Sequence, residues 1–402
     1  MDNITNLSIK QFSGKRIDTD NGQVVIPNMS FGDLNKNLLK LLVESFKNMR
    51  LLVFYTKDSY AKLQSSVKEI LSYSYSPYVE FVINDITDID NATIGEEYRG
   101  VIAVGEGCVL PAKKIASQKE IPIIVIPTEG DLTMAFSHYQ LVKNKDGFTL
   151  FEYMPCNQHF IFDKKLCQAF NRESMANCMG YAIAYQLGII DYSYGAFIND
   201  NKINKACAIL LKESVNAFKR LDFGSNDWVS VYLEASVKLA IAQLIGQKDY
   251  VLFNSCIWCA LVEGVNNVGV RAVGYIGKLL ELYKVYFSDD IDDYYQVPDY
   301  NADMEKVAKI TGVSKMALLT KNPLNAKEIY NLQQRFCCAN HIYLMAIEKV
   351  QSDLVDNISR YERLFGITVE TPENIDELIK CAPYVNDGYI LLQSIRDAGL
   401  FE

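Results

Sequence analysis

Two hydrophobic patterns divide this chain. Over the first part, short continuous apolar runs alternate with stretches of helical period. Val24-Val25-Ile26 is the first strand signal and Pro27 closes it. From Asp33 to Met49 the apolar residues Leu34, Leu38, Leu39, Leu42, Val43 and Phe46 recur as on one face of a helix. Leu51-Leu52-Val53-Phe54-Tyr55 then reads as a strand buried on both faces. The pattern continues with a helix over Ser59–Ser74, a strand over Val79–Ile83 and a strand over Gly100–Val104. A helix over Leu110–Gln118 and a strand over Ile121–Ile126, ended by Pro127, complete it. Strands alternating with helices through short loops predict an α/β domain with a parallel sheet.

Beyond Asp163 no alternating run of any length remains. Helical patterns cover Arg172–Leu187, Lys205–Arg220, Asp227–Ile245, Phe253–Glu263, Val270–Phe287, Ala302–Ile310, Ala326–Leu364 and Ile375–Ala382. At 402 residues the chain is too long for one core. The expected organisation is an α/β domain of the dinucleotide-binding type at 1–165 and an all-α helical bundle at 166–402.

A net charge of −9 argues against nucleic acid and anionic membrane as partners. No continuous apolar run reaches the roughly 18 to 20 residues of a membrane span. Met1-Asp2-Asn3 opens no basic-then-apolar leader, so the expected compartment is the cytosol. Ten scattered cysteines are then expected as buried thiols serving as small hydrophobes.

Between the strand at Gly100–Val104 and the next helix stands Gly105-Glu106-Gly107. Glycines at such a turn let the backbone approach a pyrophosphate, and the helix N-terminus supplies N–H donors. Glu106 works against this, because a carboxylate repels a diphosphate unless it turns away.

The stretch Val101-Ile102-Ala103-Val104-Gly105-Glu106-Gly107, then Ala112-Lys113-Lys114-Ile115-Ala116 and Ile121–Pro127-Thr128, resembles the core of the iron-containing alcohol dehydrogenase and dehydroquinate synthase superfamily. Ala382-Pro383-Tyr384-Val385-Asn386-Asp387-Gly388-Tyr389 is similar to the ending of bacterial glycerol-1-phosphate dehydrogenases, and Asp191-Tyr192 fits a family Asp-Trp pair. The resemblance implies a dehydroquinate synthase-like fold. It also implies NAD(P) held at Gly105, Glu106, Gly107 and Thr128, a divalent metal, and a homodimer. The metal would be held by one aspartate and two histidines, and would polarise the substrate oxygen for hydride transfer. The positions matching those ligands carry Tyr181, Cys256 and Val268, and no histidine lies between His159 and His341. A neutral phenol replaces a carboxylate poorly on a divalent ion. The loop's middle glycine is Glu106, and the aspartate after the loop is Pro111. The aspartate expected after Pro-Thr falls near Thr133, with Asp131 two positions away.

These losses in one constellation imply a divergent, non-catalytic relative of NAD(P)- and metal-dependent glycerol-1-phosphate or polyol dehydrogenases. A dinucleotide or a protein partner would be its ligand, and no divalent metal is expected. The alternative is an active dehydrogenase of the same class with a non-standard metal site recruiting Cys256 or Asp131. A third possibility uses Tyr181 as a proton donor beside a cation.

The remaining clusters read as structural. Cys256-Ile257-Trp258-Cys259 and Cys338-Ala339-Asn340-His341 have zinc-ligand spacing, but both lie in apolar helical segments. Asp289, Asp290, Asp292 and Asp293 match no calcium loop. His138 and His159 are expected as packed histidines in the last strands of the first domain.

Overall fold

The computed structural model describes residues 7–19, 22–83, 95–198, 204–252, 254–288, 300–321, 340–385, 391–397 and 400–401. The acidic run at Asp289–Asp293, Cys338 and the segment 386–390 lie outside these residues. The chain forms two compact units. The first comprises Met1–Gln140, Glu152–Met175 and Asn216–Ile245; the second comprises Leu141–Phe151, Ala176–Val215 and Gly246–Glu402.

The first unit is built on a parallel sheet. Its strands are β3 (Asn28–Phe31), β4 (Arg50–Thr56), β5 (Tyr78–Ile83), β6 (Tyr98–Val104), β7 (Ile123–Ile126) and β10 (Gln158–Phe162), in the order β3-β10-β7-β6-β4-β5. β4 shows why a continuous apolar run is needed here. Leu51, Val53 and Tyr55 pack under the helices α1 (Leu34–Ser45) and α2 (Lys57–Tyr73), while Leu52 and Phe54 are buried on the opposite face. Leu34, Leu38 and Leu42 of α1, and Leu63, Val67 and Ile70 of α2, supply the facing side chains.

Side chains at the strand ends start the helices. Asp33 accepts from Lys36 N at 2.9 Å at the head of α1, and Thr56 caps α2. Asp163, just past β10, accepts from Lys165 N at 2.8 Å and from Leu34 N at 2.7 Å, so one carboxylate serves two helix N-termini.

Val24-Val25-Ile26 does not enter this sheet. Val24 and Val25 belong to β2 (Gly22–Val25), which pairs antiparallel with β1 (Arg16–Thr19) as a separate hairpin. The strand that joins the sheet edge is β3, beyond Pro27, with Met29 and Phe31 buried. Its Asn-Met-Ser-Phe sequence alternates too briefly to stand out as a strand signal. The strands β8 (Tyr139–Lys143) and β9 (Thr149–Tyr153) form a third, two-stranded sheet.

The second unit is helical. It contains most of α5 (Arg172–Ile198), together with α8 (Ser255–Glu263), α9 (Val268–Ser288) and a long C-terminal helix over Asn340–Phe365. Tyrosines are core residues here: the Tyr194 hydroxyl donates to Ser394 at 2.6 Å and lies 3.1 Å from that of Tyr286. Their hydroxyls pair with one another inside the bundle, which removes the cost of burying them. Ala382–Val385 lies at the buried end of a helix over Ile375–Val385. Every described cysteine except Cys156 is buried, and no disulfide joins any two of them.

Among the described residues one helix, Trp228–Gln247, is long and apolar enough to cross a membrane, and most of its apolar stretch is buried inside the protein. A helix apolar on all sides is what a core position demands.

Candidate functional site

The register of the sheet brings three loops level. Val104 of β6 pairs with Tyr55 of β4 on one side and Ile126 of β7 on the other. The next residues are therefore Thr56, Gly105 and Pro127-Thr128, all at the carboxyl ends of the strands, where ligands of parallel sheets bind. Gly105 has φ +102°, and a Cβ there would lie 2.8 Å from Thr56 Oγ1 and 3.2 Å from Thr128 Oγ1. Only glycine meets both demands. Gly107, on the 3-10 turn Glu106–Cys108, sits against Thr56 Cγ2. The structure thus gathers Gly105, Glu106, Gly107 and Thr128 at one edge.

Glu106 turns into the neighbouring loop. Its Oε2 accepts from the backbone N–H of Thr128 at 2.9 Å and of Glu129 at 2.8 Å, and its Oε1 from that of Gly130 at 2.7 Å. Burial of the carboxylate, with the Glu129 charge beside it, pushes its pKa up to about 8, while the three N–H donors pull the other way. Glu129 is also raised, first by burial; a hydrogen bond to Thr56 opposes the shift, and Asp58 and Asp131 add to it. Asp131 accepts from Thr133 N at 2.8 Å, closing its own turn. The strand ends therefore present acidic side chains, with the Lys62 cation also acting on Glu129, where a diphosphate would need positive potential. A dinucleotide's phosphates do not fit this cradle as it stands.

The three positions expected for metal ligands all lie in the helical unit and all are buried. Near Tyr181, helices α5 and α9 meet backbone to backbone. A Cβ on Gly180 would fall 2.3 Å from Gly269 O and 2.9 Å from Val270 N, and one on Gly269 would fall 2.5 Å from the Tyr181 ring. The Asn177 side chain, one turn before Tyr181, accepts from Gly269 N at 2.7 Å and from Val270 N at 3.3 Å. An amide oxygen thus caps the helix that begins at Val268. Sequence spacing gave no sign of Asn177; only the crossing of the two helices reveals its role.

Cys256 lies instead among Asp191, Cys259 and Tyr283, and burial raises its thiol pKa well above the usual range. Asp191 itself is fully buried. Its oxygens accept from Ser255 N at 3.0 Å and from the Tyr283 hydroxyl at 2.7 Å. Asp191 follows Tyr181 by ten residues on α5, about 15 Å along the helix axis. Glu263 is held by Arg271 Nε at 2.7 and 2.8 Å and by the Tyr275 hydroxyl at 2.9 Å. Among the described residues no three His, Cys, Asp or Glu side chains converge as a metal site. A phenol, a buried thiol and an isopropyl group are not a donor set for a hard divalent ion. The residues present do not fit the implied metal.

The two described histidines outside the helical unit are packed groups. Burial pushes the pKa of both His138 and His159 down to about 4. His159 Nε2 lies 2.8 Å from Ser30 Oγ across neighbouring strands. Lys113 is fully buried on α3 (Val109–Gln118), with Nζ donating to Ser137 O at 2.7 Å. It anchors the chain that leaves β7.

No protein-family model matches the sequence, and no curated protein matches it. Solved structures do match over nearly the whole chain. NADH-dependent butanol dehydrogenase A from Thermotoga maritima is 14% identical with a TM-score of 0.57, covering 93% of this chain and 96% of that one. A 1,3-propanediol oxidoreductase is 13% identical with a TM-score of 0.56, covering 94% and 98%. Glycerol dehydrogenase from Schizosaccharomyces pombe is 13% identical with a TM-score of 0.53, covering 90% and 96%. At such identities the likeness is one of fold. A parallel-sheet α/β part followed by a helical part gives this chain the fold of the iron-containing alcohol dehydrogenases, of the dehydroquinate synthase-like kind.

Proposed function

We propose that this chain is a divergent, non-catalytic relative of the NAD(P)- and metal-dependent glycerol-1-phosphate and polyol dehydrogenases, kept as a binding or scaffolding protein in the cytosol. The carrying observation is the close approach of Gly180 to Gly269 with the Tyr181 ring against it. Alcohol oxidation by hydride loss needs the substrate oxygen to gain alkoxide character, which a metal supplies by lowering its pKa. Here the positions the resemblance assigns to the ligands hold Tyr181, Cys256 and Val268, and Cys256 is a buried thiol near the Asp191 carboxyl. The names of the fold relatives point to NAD(H) as the nucleotide to test. A homodimer or a protein partner suits a scaffold that has lost its chemistry.

The test is metal content of the purified protein by mass spectrometry, with turnover of glycerol 1-phosphate and glycerol followed on the same sample using NAD and NADP. Substoichiometric metal and no turnover are expected, including after incubation with zinc, nickel or ferrous iron. Near-stoichiometric metal with turnover would overturn the reading and point to replacement ligands around Cys256 or Asp131.

A further inference from the structure

Three consecutive backbone N–H groups, those of Thr128, Glu129 and Gly130, converge on the two oxygens of one carboxylate. Successive amides that aim into one concavity form an anion-binding nest. At the carboxyl ends of parallel strands the expected occupant of such a nest is an oxyanion of a ligand. In this protein the occupant is Glu106.

Both sides of the contact are anchored. Glu106 follows Gly105, whose N–H donates to Ile126 O at 2.9 Å and whose positive φ sets the turn. Gly130 also has a positive φ, +104°, and its carbonyl accepts from the buried Tyr232 hydroxyl. The Glu106 side chain therefore spans from the loop after β6 to the loop after β7, two adjacent strands of the sheet.

We propose that the Glu106 carboxyl group is a built-in acceptor that fills this nest and shuts the strand-end crevice against phosphate-bearing ligands, the dinucleotide included. The inference deepens the proposed non-catalytic reading and rests on it for the identity of the excluded ligand. Two effects act in the same direction. A ligand phosphate would have to displace a carboxylate that already satisfies all three donors, so it gains no hydrogen bonds in the exchange. It would also approach Glu129, which has Asp58 and Asp131 as well as the Lys62 ammonium among its neighbours, so acidic groups outnumber basic ones there. Removing the Glu106 carboxylate reverses the first effect and leaves three aligned donors in need of an acceptor.

Binding of NADH, ADP-ribose and inorganic pyrophosphate is measured by calorimetry on the wild type, Glu106→Gly and Glu106→Gln, with a thermal-unfolding control on each. The wild type is expected to show no saturable binding. Glu106→Gly is expected to bind at least about tenfold more tightly, since charged hydrogen bonds to an oxyanion are recovered. Gain for pyrophosphate alone identifies a phosphate site, and larger gain for ADP-ribose and NADH identifies a nucleotide crevice; either supports the proposal. Glu106→Gln keeps the side-chain volume but turns an amide NH2 toward the nest, and should also gain. It decides the matter if Glu106→Gly fails to fold. Wild-type binding of NADH as tight as the variant's, or no gain in any folded variant, overturns the proposal. A metal-loaded, active protein that still gains NADH affinity in Glu106→Gly would sink the non-catalytic reading and leave this one standing.

Discussion

The Gly180→Ala protein is expected to lose stability in its helical unit, although alanine is the better helix former. Inside an exposed helix the exchange would gain about 1 kcal/mol. At Gly180 the new Cβ meets Gly269 O at 2.3 Å, Gly269 C at 2.5 Å and Val270 N at 2.9 Å. These are backbone atoms at the start of α9, and no rotamer change moves them aside. Separating the helices also stretches the hydrogen bond from Gly269 N to Asn177 Oδ1. Overpacking typically costs about 1–3 kcal/mol, and a clash with backbone that no rotamer relieves belongs at the upper end, so the clash outweighs the propensity and the net loss is about 2 kcal/mol. Gly277, on α9 with nothing within 4 Å of its would-be Cβ, is the control. Gly277→Ala should be neutral or gain up to about 1 kcal/mol. Urea unfolding followed by circular dichroism separates the two. Equal midpoints for the two variants would refute the close packing on which the metal argument stands.

Asp191→Ala is expected to be comparably damaging, for an electrostatic reason. It removes the acceptor for Ser255 N and for the Tyr283 hydroxyl in a site with no solvent exposure. Each buried donor left without a partner costs about 1–3 kcal/mol, so a loss of about 3 kcal/mol is expected. Asp191→Asn keeps one acceptor oxygen and should lose less.

The pH dependence distinguishes Asp191 further. Burial raises its pKa from 3.8 to about 7, against the pull of the Ser255 and Tyr283 hydrogen bonds. The folded protein thus holds this proton more tightly than the unfolded chain does. The contribution is fully present below about pH 4, declines as pH rises to about 7, and is constant above that. Asparagine has no such proton. The stability of the wild type relative to Asp191→Asn should therefore fall between pH 4 and 7 and level off beyond. A difference that stays flat across that window would mean Asp191 is ionised throughout. Either way Asp191 ties α5 to the head of α8 and to the last turns of α9, which gives this half of the Asp-Tyr pair a structural role.

Much of the fold was legible because burial leaves a local record. Leu51–Tyr55 is apolar at every position since both faces of β4 are covered, and α1 and α2 show the period of helices covered on one face. The edge strand β3 left no such record: only Met29 and Phe31 of its four residues are buried, and the more apolar Val24-Val25 beside it went to a separate hairpin. At the site, the absence of histidines and the placement of Glu106 within the glycine loop were both visible as letters. What Glu106 does was not, because its partners stand more than twenty residues away, across the β6–β7 pair.

By itself the sequence determined the alternation of strands and helices, the helical second half, and which residues stand at the positions the resemblance assigns to metal ligands. Those are matters of residue type and short-range period, which the chain carries locally. Only the tertiary structure decided that Asn177 caps α9, that Cys256 is buried near Asp191, and that Glu106 fills the Thr128–Gly130 nest. Each of these depends on which backbone N–H groups lack an intrahelical or ladder partner and which distant side chain the packing brings within hydrogen-bond reach.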